Sequence, residues 1–523
     1  VNQSTGVTPV PRPLVPLWAA IVLALASGPI LDAGFPDKNW WPMTFLGIAV
    51  VLVSLIGRRP RSALLVGFIA GMAFYLVHIE WASLFLGPVP MTALSFLESL
   101  FVALGAMLMS LVYRWSPRAW PSARARLWRV PITIAGIWTA REAIESLWPY
   151  GGFAWGRVAL SQSESPFNNL FAWLGVSGVS FVMVLLVALA LEAVRSAPIA
   201  RLTRVTVSVA ALTVVLVVPA FPIALSGTSS IAAVQGNGKA AYFDTRQQGD
   251  LLAAQFSATV PLFGKKVDMV VWPEGASDID PLENESAARV FDLVSEQMHA
   301  PLIAGAITQR GDKIYNTSLL WEAGKSAVDY YDKKHPVPFG EYVPDRAFWE
   351  PLAPDLIGLI GRDYTPGTTD TVFDVNGIIA GIDICFDISD DAVMSDSVRS
   401  GAQILLAQTN NADFGHTDES VQQLAIARIR ALELGRSVVN ISTVGTSAMI
   451  APDGSTIRQL KSYTADSMVA DVPLSSTLTP ASQFAALFEK FAGALGLLGL
   501  FALWLTGRGP RVPKTAKLPR RSR

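Results

Sequence analysis

Apolar residues in this chain follow two rhythms. Long, nearly unbroken runs occupy residues 14–31, 42–56, 63–86, 91–113, 130–148, 169–193 and 205–225, and one more comes after a long gap at 484–505. Each is near the ~20 residues that carry a helix across a bilayer, although 42–56 is short and 130–148 is broken by Arg141, Glu142 and Glu145. The pattern predicts eight transmembrane helices. The first run has no basic leader or small-residue cleavage site and a second follows closely, so it reads as a retained span.

Between the seventh and eighth runs the rhythm changes. Short β-rich stretches at 230–235, 269–272, 302–307, 317–321, 378–384, 404–408, 438–442 and 447–451 alternate with helical periodicity at 250–260, 285–299 and 420–434. That alternation predicts an α/β domain. The expected organisation is a membrane domain over 1–228, an α/β domain over 229–476, a last span within 477–507 and a basic tail over 508–523.

Composition agrees with a membrane protein: 51% of residues are hydrophobic and 16% charged. The net charge of −1 conceals a strong asymmetry. Arg58, Arg59 and Arg61, then Arg114, Arg118, Arg124, Arg126 and Arg129, then Arg195, Arg201 and Arg204, and finally the tail fall on one side of the predicted spans. The other side's short loops carry little beyond Lys38 and Arg157. By the positive-inside rule both termini are cytoplasmic and the α/β domain lies outside, at the cell (inner) membrane. These arginines flank spans without an aromatic platform, so nucleic acid is not an expected partner. The tail reads as a cytoplasmic extension drawn to anionic headgroups or simply solvated.

Chemistry centres on the chain's one cysteine, Cys385, at the tip of the apolar run Gly381-Ile-Asp-Ile-Cys385-Phe386-Asp387. A lone cysteine forms no internal disulfide and by itself reads first as a packing residue. Two upstream motifs change that balance. Val270-Val-Trp-Pro-Glu274-Gly275 ends a predicted strand on a carboxylate, a candidate general base for a thiol. Tyr331-Asp-Lys333-Lys-His-Pro-Val-Pro-Phe-Gly-Glu341-Tyr-Val-Pro344 supplies a lysine which, with the backbone N–H of Phe386, could stabilise an oxyanion. Taken singly, Glu274 reads about equally as a helix cap and Lys333 as a surface charge. No metal-type cluster, phosphate-cradling loop or dinucleotide fingerprint occurs, so no cofactor or metal is expected.

The ordered Glu274, Lys333 and Cys385 resemble the triad of the nitrilase superfamily. The long lysine segment resembles one branch of it, the bacterial apolipoprotein N-acyltransferases, and the layout of seven spans, an extracytoplasmic domain and a final span resembles theirs too. Val234-Gln-Gly-Asn237, Tyr315-Asn-Thr-Ser318, Arg430-Ala-Leu-Glu-Leu-Gly-Arg436 and Gly152-Phe-Ala-Trp-Gly-Arg157 are further similar pieces. The resemblance implies an α-β-β-α sandwich for the inserted domain and a ping-pong acyl transfer. Cys385 would take an acyl chain from a membrane phospholipid as a thioester and pass it to the α-amine of a diacylglyceryl-modified lipoprotein cysteine. It also implies a supporting role for Glu341, which the residues alone read equally as a carboxylate bonding turn amides.

The chain departs from the family pattern at Asp387, where a glutamate is usual, at Gly238-Lys239, and at Leu478-Thr-Pro-Ala-Ser482. A membrane-tethered amidase that sends the thioester to water is one alternative reading. Another is a weakly active paralogue scaffolding a polyprenyl-phosphate mannose synthase, an association that resemblance to actinobacterial relatives implies. His78, Glu80, Glu98, Arg141, Glu142 and Glu145 interrupt apolar spans, and such groups ordinarily face a bundle interior or cavity. They read equally as a structural network and as a headgroup site. His335 and His416 read as loop residues rather than catalysts.

Overall fold

A computed structural model describes residues 12–196 and 198–507; the predicted tail over 508–523 lies outside them. Helices form at all eight predicted apolar runs: α1 (Leu17–Asp32), α2 (Pro42–Leu55), α3 (Pro60–His78), α4 (Pro88–Ala119), α5 (Ala123–Glu145), α6 (Leu170–Arg195), α7 (Arg201–Leu216) and, at the other end, a helix over Pro480–Gly507. Of these, α3, α4, α6 and Pro480–Gly507 are long and apolar enough to cross a membrane; α1 and α2 are shorter apolar helices. Two runs end early. The third stops at His78 and gives way to short turns of helix before Gly87, and the seventh stops at Leu216, because Pro219 and Pro222 cannot continue a helix.

The helices pack through small residues. A Cβ on Gly136 of α5 would lie 2.5 Å from backbone atoms of Ala492 and Gly496, so α5 and the last helix cross at backbone contact. Helix α6 is kinked at Gly175 (φ 68°, ψ 179°). The break frees the Val176 N–H, which donates to the Glu433 carboxylate of the α/β domain at 3.2 Å.

The inserted domain is built from β1 (Leu225–Gln235), α8 (Asp250–Thr259), β2 (Met269–Val271), α9 (Glu285–Met298), β3 (Leu302–Arg310), β4 (Lys313–Glu322), β5 (Ser326–Asp332), β6 (Val372–Val375), β7 (Ile378–Ile384), α10 (Asp391–Arg399), β8 (Ile404–Thr409), α11 (Glu419–Leu434), β9 (Ser437–Ser442), β10 (Ala448–Ile450), β11 (Thr456–Gln459) and β12 (Asp466–Ser475); the helix over Pro480–Gly507 is α12. β1 begins ahead of the predicted boundary at Ser229. The strands form two six-stranded sheets, ordered β12-β1-β2-β3-β4-β5 and β11-β10-β9-β8-β7-β6. Each has a parallel centre, β1-β2-β3 and β7-β8-β9, and antiparallel edges. Ile231, Val271 and Ile303 of one sheet meet Ile382, Leu406 and Val439 of the other in a dry inner layer. α8 and α9 cover the outer face of the first sheet through Leu252, Phe291 and Val294. α10 and α11 cover the second, giving the expected α-β-β-α sandwich.

The outer layer of α10 and α11 also meets the membrane helices. Ile388, Val393, Ile426 and Ile429 share one apolar core with Trp155, Phe171 and Val176. Beside this core lies a buried charge network. Arg157 bonds both oxygens of Asp391 at 2.7 and 3.0 Å, and Arg430 reaches Asp391 at 2.6 Å and Glu433 at 2.5 Å. The Gln422 side-chain oxygen accepts the indole N–H groups of Trp81 (3.1 Å) and Trp155 (2.8 Å). The α/β domain is thus seated on the bundle by packing and by named polar contacts as well as by its two covalent ends.

The polar residues that interrupt the predicted apolar runs mostly face inward as expected. His78 is buried between Asp32 (3.1 Å) and the Trp155 carbonyl (3.3 Å). Arg141 pairs with Glu145 at 2.5 Å, Tyr75 also bonds Glu145, and Glu142 accepts from Trp138 and from the Val158 amide. Glu80 is the exception. It is exposed in the turn beyond α3, outside the apolar helix that was expected to contain it.

Candidate active site

The loops leaving β2, β5 and β7 bring Glu274, Lys333 and Cys385 to one place. Cys385 directly follows β7 and holds φ +53°, an uncommon backbone conformation for a residue with a side chain, at the start of a short 3₁₀ turn. The turn exposes the thiol partly and sets the Phe386 N–H in its first turn, where no intrahelical acceptor exists. Glu274 lies just past β2. Its ordered position depends on the close approach of Gly305, where any Cβ would meet the Pro273 carbonyl at 2.4 Å.

Lys333 is almost completely buried and sits between two carboxylates, 3.3 Å from Glu274 and 2.8 Å from Glu341. The Asn316 amide bridges the same pair, donating to Glu274 at 2.7 Å and Glu341 at 2.9 Å. Glu341 also accepts the Val337 N–H at 2.7 Å. It therefore both closes its own turn and pairs with the lysine. Asp387 accepts from the Tyr331 hydroxyl at 2.7 Å and the His335 N–H at 3.0 Å. Although one methylene shorter than the usual glutamate, it reaches the backbone that carries Lys333. His335 pairs with Asp390 at 3.3 Å, and His416 lies against the Tyr463 ring, away from this chemistry.

Electrostatics assigns complementary protonation states. Burial, and then the Glu274 charge, pushes the Cys385 thiol well above its ordinary range, so it rests protonated. Burial raises the Glu274 carboxyl while Lys333 opposes the shift. Burial alone would lower Lys333, but Glu274 and Glu341 outweigh it and hold the ammonium well above the usual range. A neutral thiol, a carboxylate of raised basicity and a fixed cation together can pass a proton from sulfur to Glu274 as the sulfur attacks a carbonyl.

Residues not predicted from sequence complete the surroundings. Gln423 donates to the Cys385 sulfur at 3.6 Å and accepts from Asn411 at 2.6 Å, and Asn411 also donates to Glu419 at 2.8 Å. Burial pushes Glu419 up to about 8. Phe386 stacks in parallel with Trp155 (6.3 Å, 7°) and with Phe153 of the same membrane-side loop (6.4 Å, 13°). A cavity of about 380 Å³ opens beside Phe386, between the loop after α5 and the lysine segment.

A sandwich of this topology with a Glu-Lys-Cys centre, set on apolar helices, defines a membrane-bound member of the carbon-nitrogen hydrolase class. Comparison with known proteins agrees. The carbon-nitrogen hydrolase family model matches residues 230–479, and the apolipoprotein N-acyltransferase N-terminal domain model matches residues 27–189. The chain is 31% identical to an apolipoprotein N-acyltransferase of Mycolicibacterium smegmatis, over 94% of this chain and 87% of that one. Against those of Azotobacter vinelandii and Vibrio parahaemolyticus the identities are 29% and 25%, covering 89% and 94% of this chain and 91% and 97% of theirs. Among solved structures, a nitrilase-superfamily amidase from Nesterenkonia is 15% identical with a TM-score of 0.39, covering 52% of this chain and all of that one. The chain belongs to the apolipoprotein N-acyltransferase family; it is a membrane protein and an enzyme.

Proposed function

We propose that this enzyme transfers an acyl chain from a membrane phospholipid to the α-amino group of a diacylglyceryl-cysteine at the N-terminus of a lipoprotein, with Glu274, Lys333 and Cys385 as its catalytic residues. The observation that carries the reading is the Glu274–Lys333–Glu341 cluster around a half-buried thiol, on a domain seated against apolar helices. Cys385 Sγ bonds to the acyl carbonyl while Glu274 takes the thiol proton. Lys333 and the Phe386 N–H stabilise the oxyanion, and the ester C–O bond breaks as the proton passes to the departing lysophospholipid hydroxyl. The amine then attacks the thioester, its proton passes through Glu274, and the thiol is regenerated. Glu341 and Asp387 position Lys333. Two lipidated substrates account for the membrane seat, since confinement raises their effective concentration.

The arginine distribution supports eight spans in an inner membrane, cytoplasmic termini and an extracytoplasmic domain over 229–476. Reporter fusions at Gly311 and after Arg523 should give opposite signals. The decisive assay incubates purified protein with phospholipid and a diacylglyceryl-cysteine peptide. Mass spectrometry should find the peptide one acyl chain heavier; free fatty acid with an unchanged peptide would favour the amidase-like reading and overturn this one.

A further inference from the structure

The cavity beside Phe386 has a feature that the acyl-transfer chemistry does not use. Its walls come from both halves of the molecule: Tyr150, Gly151 and Gly152 from the loop after α5, and Lys334, His335, Tyr342 and Asp390 from the α/β domain. Its polar side chains are mostly committed. The Tyr150 hydroxyl donates to Asp345 at 2.9 Å, Ser146 and Ser389 bond backbone carbonyls, and Asp390 both caps α10 and pairs with His335. Lys334 is different. This half-buried residue makes no side-chain hydrogen bond or ion pair among the described residues, while its neighbour Lys333 is fully engaged in the catalytic cluster.

We infer that the Lys334 cavity is an anion subsite that holds the phosphodiester of the acyl donor while its ester carbonyl lies at Cys385. The inference rests on the proposed function and names the donor's second point of attachment. Consecutive Cα atoms are about 3.8 Å apart, so Lys333 and Lys334 place two cations at neighbouring points on one segment. One faces the reacting centre and the other the cavity. A glycerophospholipid has the matching geometry, with its phosphate and its two acyl esters on the three carbons of one glycerol, so either ester lies within one or two carbons of the phosphate-bearing carbon. An ammonium with three free donors in a cavity of about 380 Å³ suits a phosphate oxyanion. The cavity also lies within the size range of small-molecule sites. The acceptor peptide's diacylglyceryl thioether carries no phosphate, so the subsite separates donor from acceptor at a centre that must receive both.

The test begins with binding, which needs no turnover. Full-length Cys385→Ala protein in detergent is mixed with dipalmitoyl phosphatidylglycerol or with dipalmitoylglycerol, and lipid retention is read by native mass spectrometry. Adding Lys334→Gln should weaken retention of the phosphate-bearing lipid about tenfold, the size of one charge-assisted hydrogen bond, and should leave dipalmitoylglycerol unaffected. Lys334→Arg should restore retention. Equal loss for both lipids, or no loss for either, overturns the subsite. Inorganic phosphate as competitor distinguishes the sources: displacement of the lipid from Lys334 protein but not from Lys334→Gln assigns the subsite to phosphate as such. No displacement, with lipid discrimination intact, assigns it to phosphate held on a lipid. In protein with Cys385 intact, Lys334→Gln should slow thioester formation from phosphatidylglycerol while aminolysis of the formed thioester is unchanged; slowed aminolysis alone would reassign the cation to the peptide and overturn the inference. If lipid discrimination holds but no thioester forms on wild-type protein, the transfer reaction fails and the subsite stands.

Discussion

Two buried charge clusters lie near the nucleophile's sheet, and they are built on different principles. In the proposed catalytic cluster one lysine faces two carboxylates beside a protonated thiol, so Glu274, Glu341 and Lys333 leave an excess of one negative charge. In the seam cluster two guanidinium groups, Arg157 and Arg430, face Asp391 and Glu433, and the charges cancel. Arg430 also donates to the Ile388 and Ser389 carbonyls at 2.8 and 3.0 Å. Arginine's planar fork fixes geometry and does not give up its proton, whereas a compact ammonium between two carboxylates leaves a base free to work. The catalytic cluster is poised to move a proton and the seam cluster is built to hold two domains together. The two arginines accordingly keep Asp391 well below the usual carboxylate range, while burial raises Glu274.

The largest effect should come from Cys385→Ala. With no second thiol in the chain, it should abolish every hydroxylamine-labile acyl adduct while the protein stays folded. Transfer at the wild-type rate by this variant would end the comparison, since the catalytic cluster would then have nothing to activate.

Next comes the base and its cation. Glu274→Gln should slow thioester formation by about 10²–10⁴-fold, the scale of general-base catalysis. Lys333→Met should slow both half-reactions by about 10²–10³-fold, because each passes through an oxyanion. Glu274 acts ionised, so wild-type acylation should fall as pH drops through its raised pKa, at a pH above the ordinary carboxylate range. Single-turnover pH profiles check the point, and that acid limb should be missing from Glu274→Gln. Acylation by Lys333→Met at the normal rate, with Lys334→Met inactive, would mean that the wrong lysine of the pair has been assigned.

The seam cluster should answer in stability instead. Arg430→Met strands Glu433 without its close partner, and breaking a buried pair of this kind costs about 3–5 kcal/mol. The melting temperature should fall, while single-turnover acylation per folded molecule changes much less than in Glu274→Gln. Equal losses in both readouts would erase the distinction between the clusters.

Much of the proposed catalytic cluster was legible as a set of residues that come together, because it is written in local motifs. A strand end with Glu274, a loop with Lys333 and Glu341, and a strand tip with Cys385 each carry their own signal. Asn316 and Arg430 stood inside quoted segments, yet their contacts could not be read there. Gln422, Gln423, Asn411 and Glu419 gave no signal: Gln422 acts through Trp81 and Trp155, hundreds of positions away, and the other three act through one another and Cys385 only once the loop after β8 and α11 fold over the thiol. The missed strands have a physical explanation too. All four, β5, β6, β11 and β12, are sheet edges; β5 and β11 have mostly exposed side chains, so the inside–outside alternation that marks a strand is weak, and β6 is only four residues long. The short, polar α10 was hidden in the same way.

The smallest effect tests whether the catalytic cluster's excess charge is limited to one. Glu419 is buried near Cys385 and accepts from Asn411, and its pKa of about 8 keeps it protonated at neutral pH. An ionised Glu419 would add a second excess negative charge beside a thiol that must become anionic. Glu419→Gln copies the protonated form, so acylation at pH 7 should stay within a few-fold of wild type. Stability separates the two proteins. A carboxyl at about 8 in the folded state and about 4.5 in the unfolded state leaves the unfolded chain binding fewer protons between those values, so wild type loses stability as pH rises through that window. The variant has no such group. Its melting temperature should exceed that of wild type at pH 8.5, with the gap closing toward pH 5. A gap that does not change with pH would place an ionised Glu419 in the cluster, and the contrast between one excess charge and none would have to be redrawn.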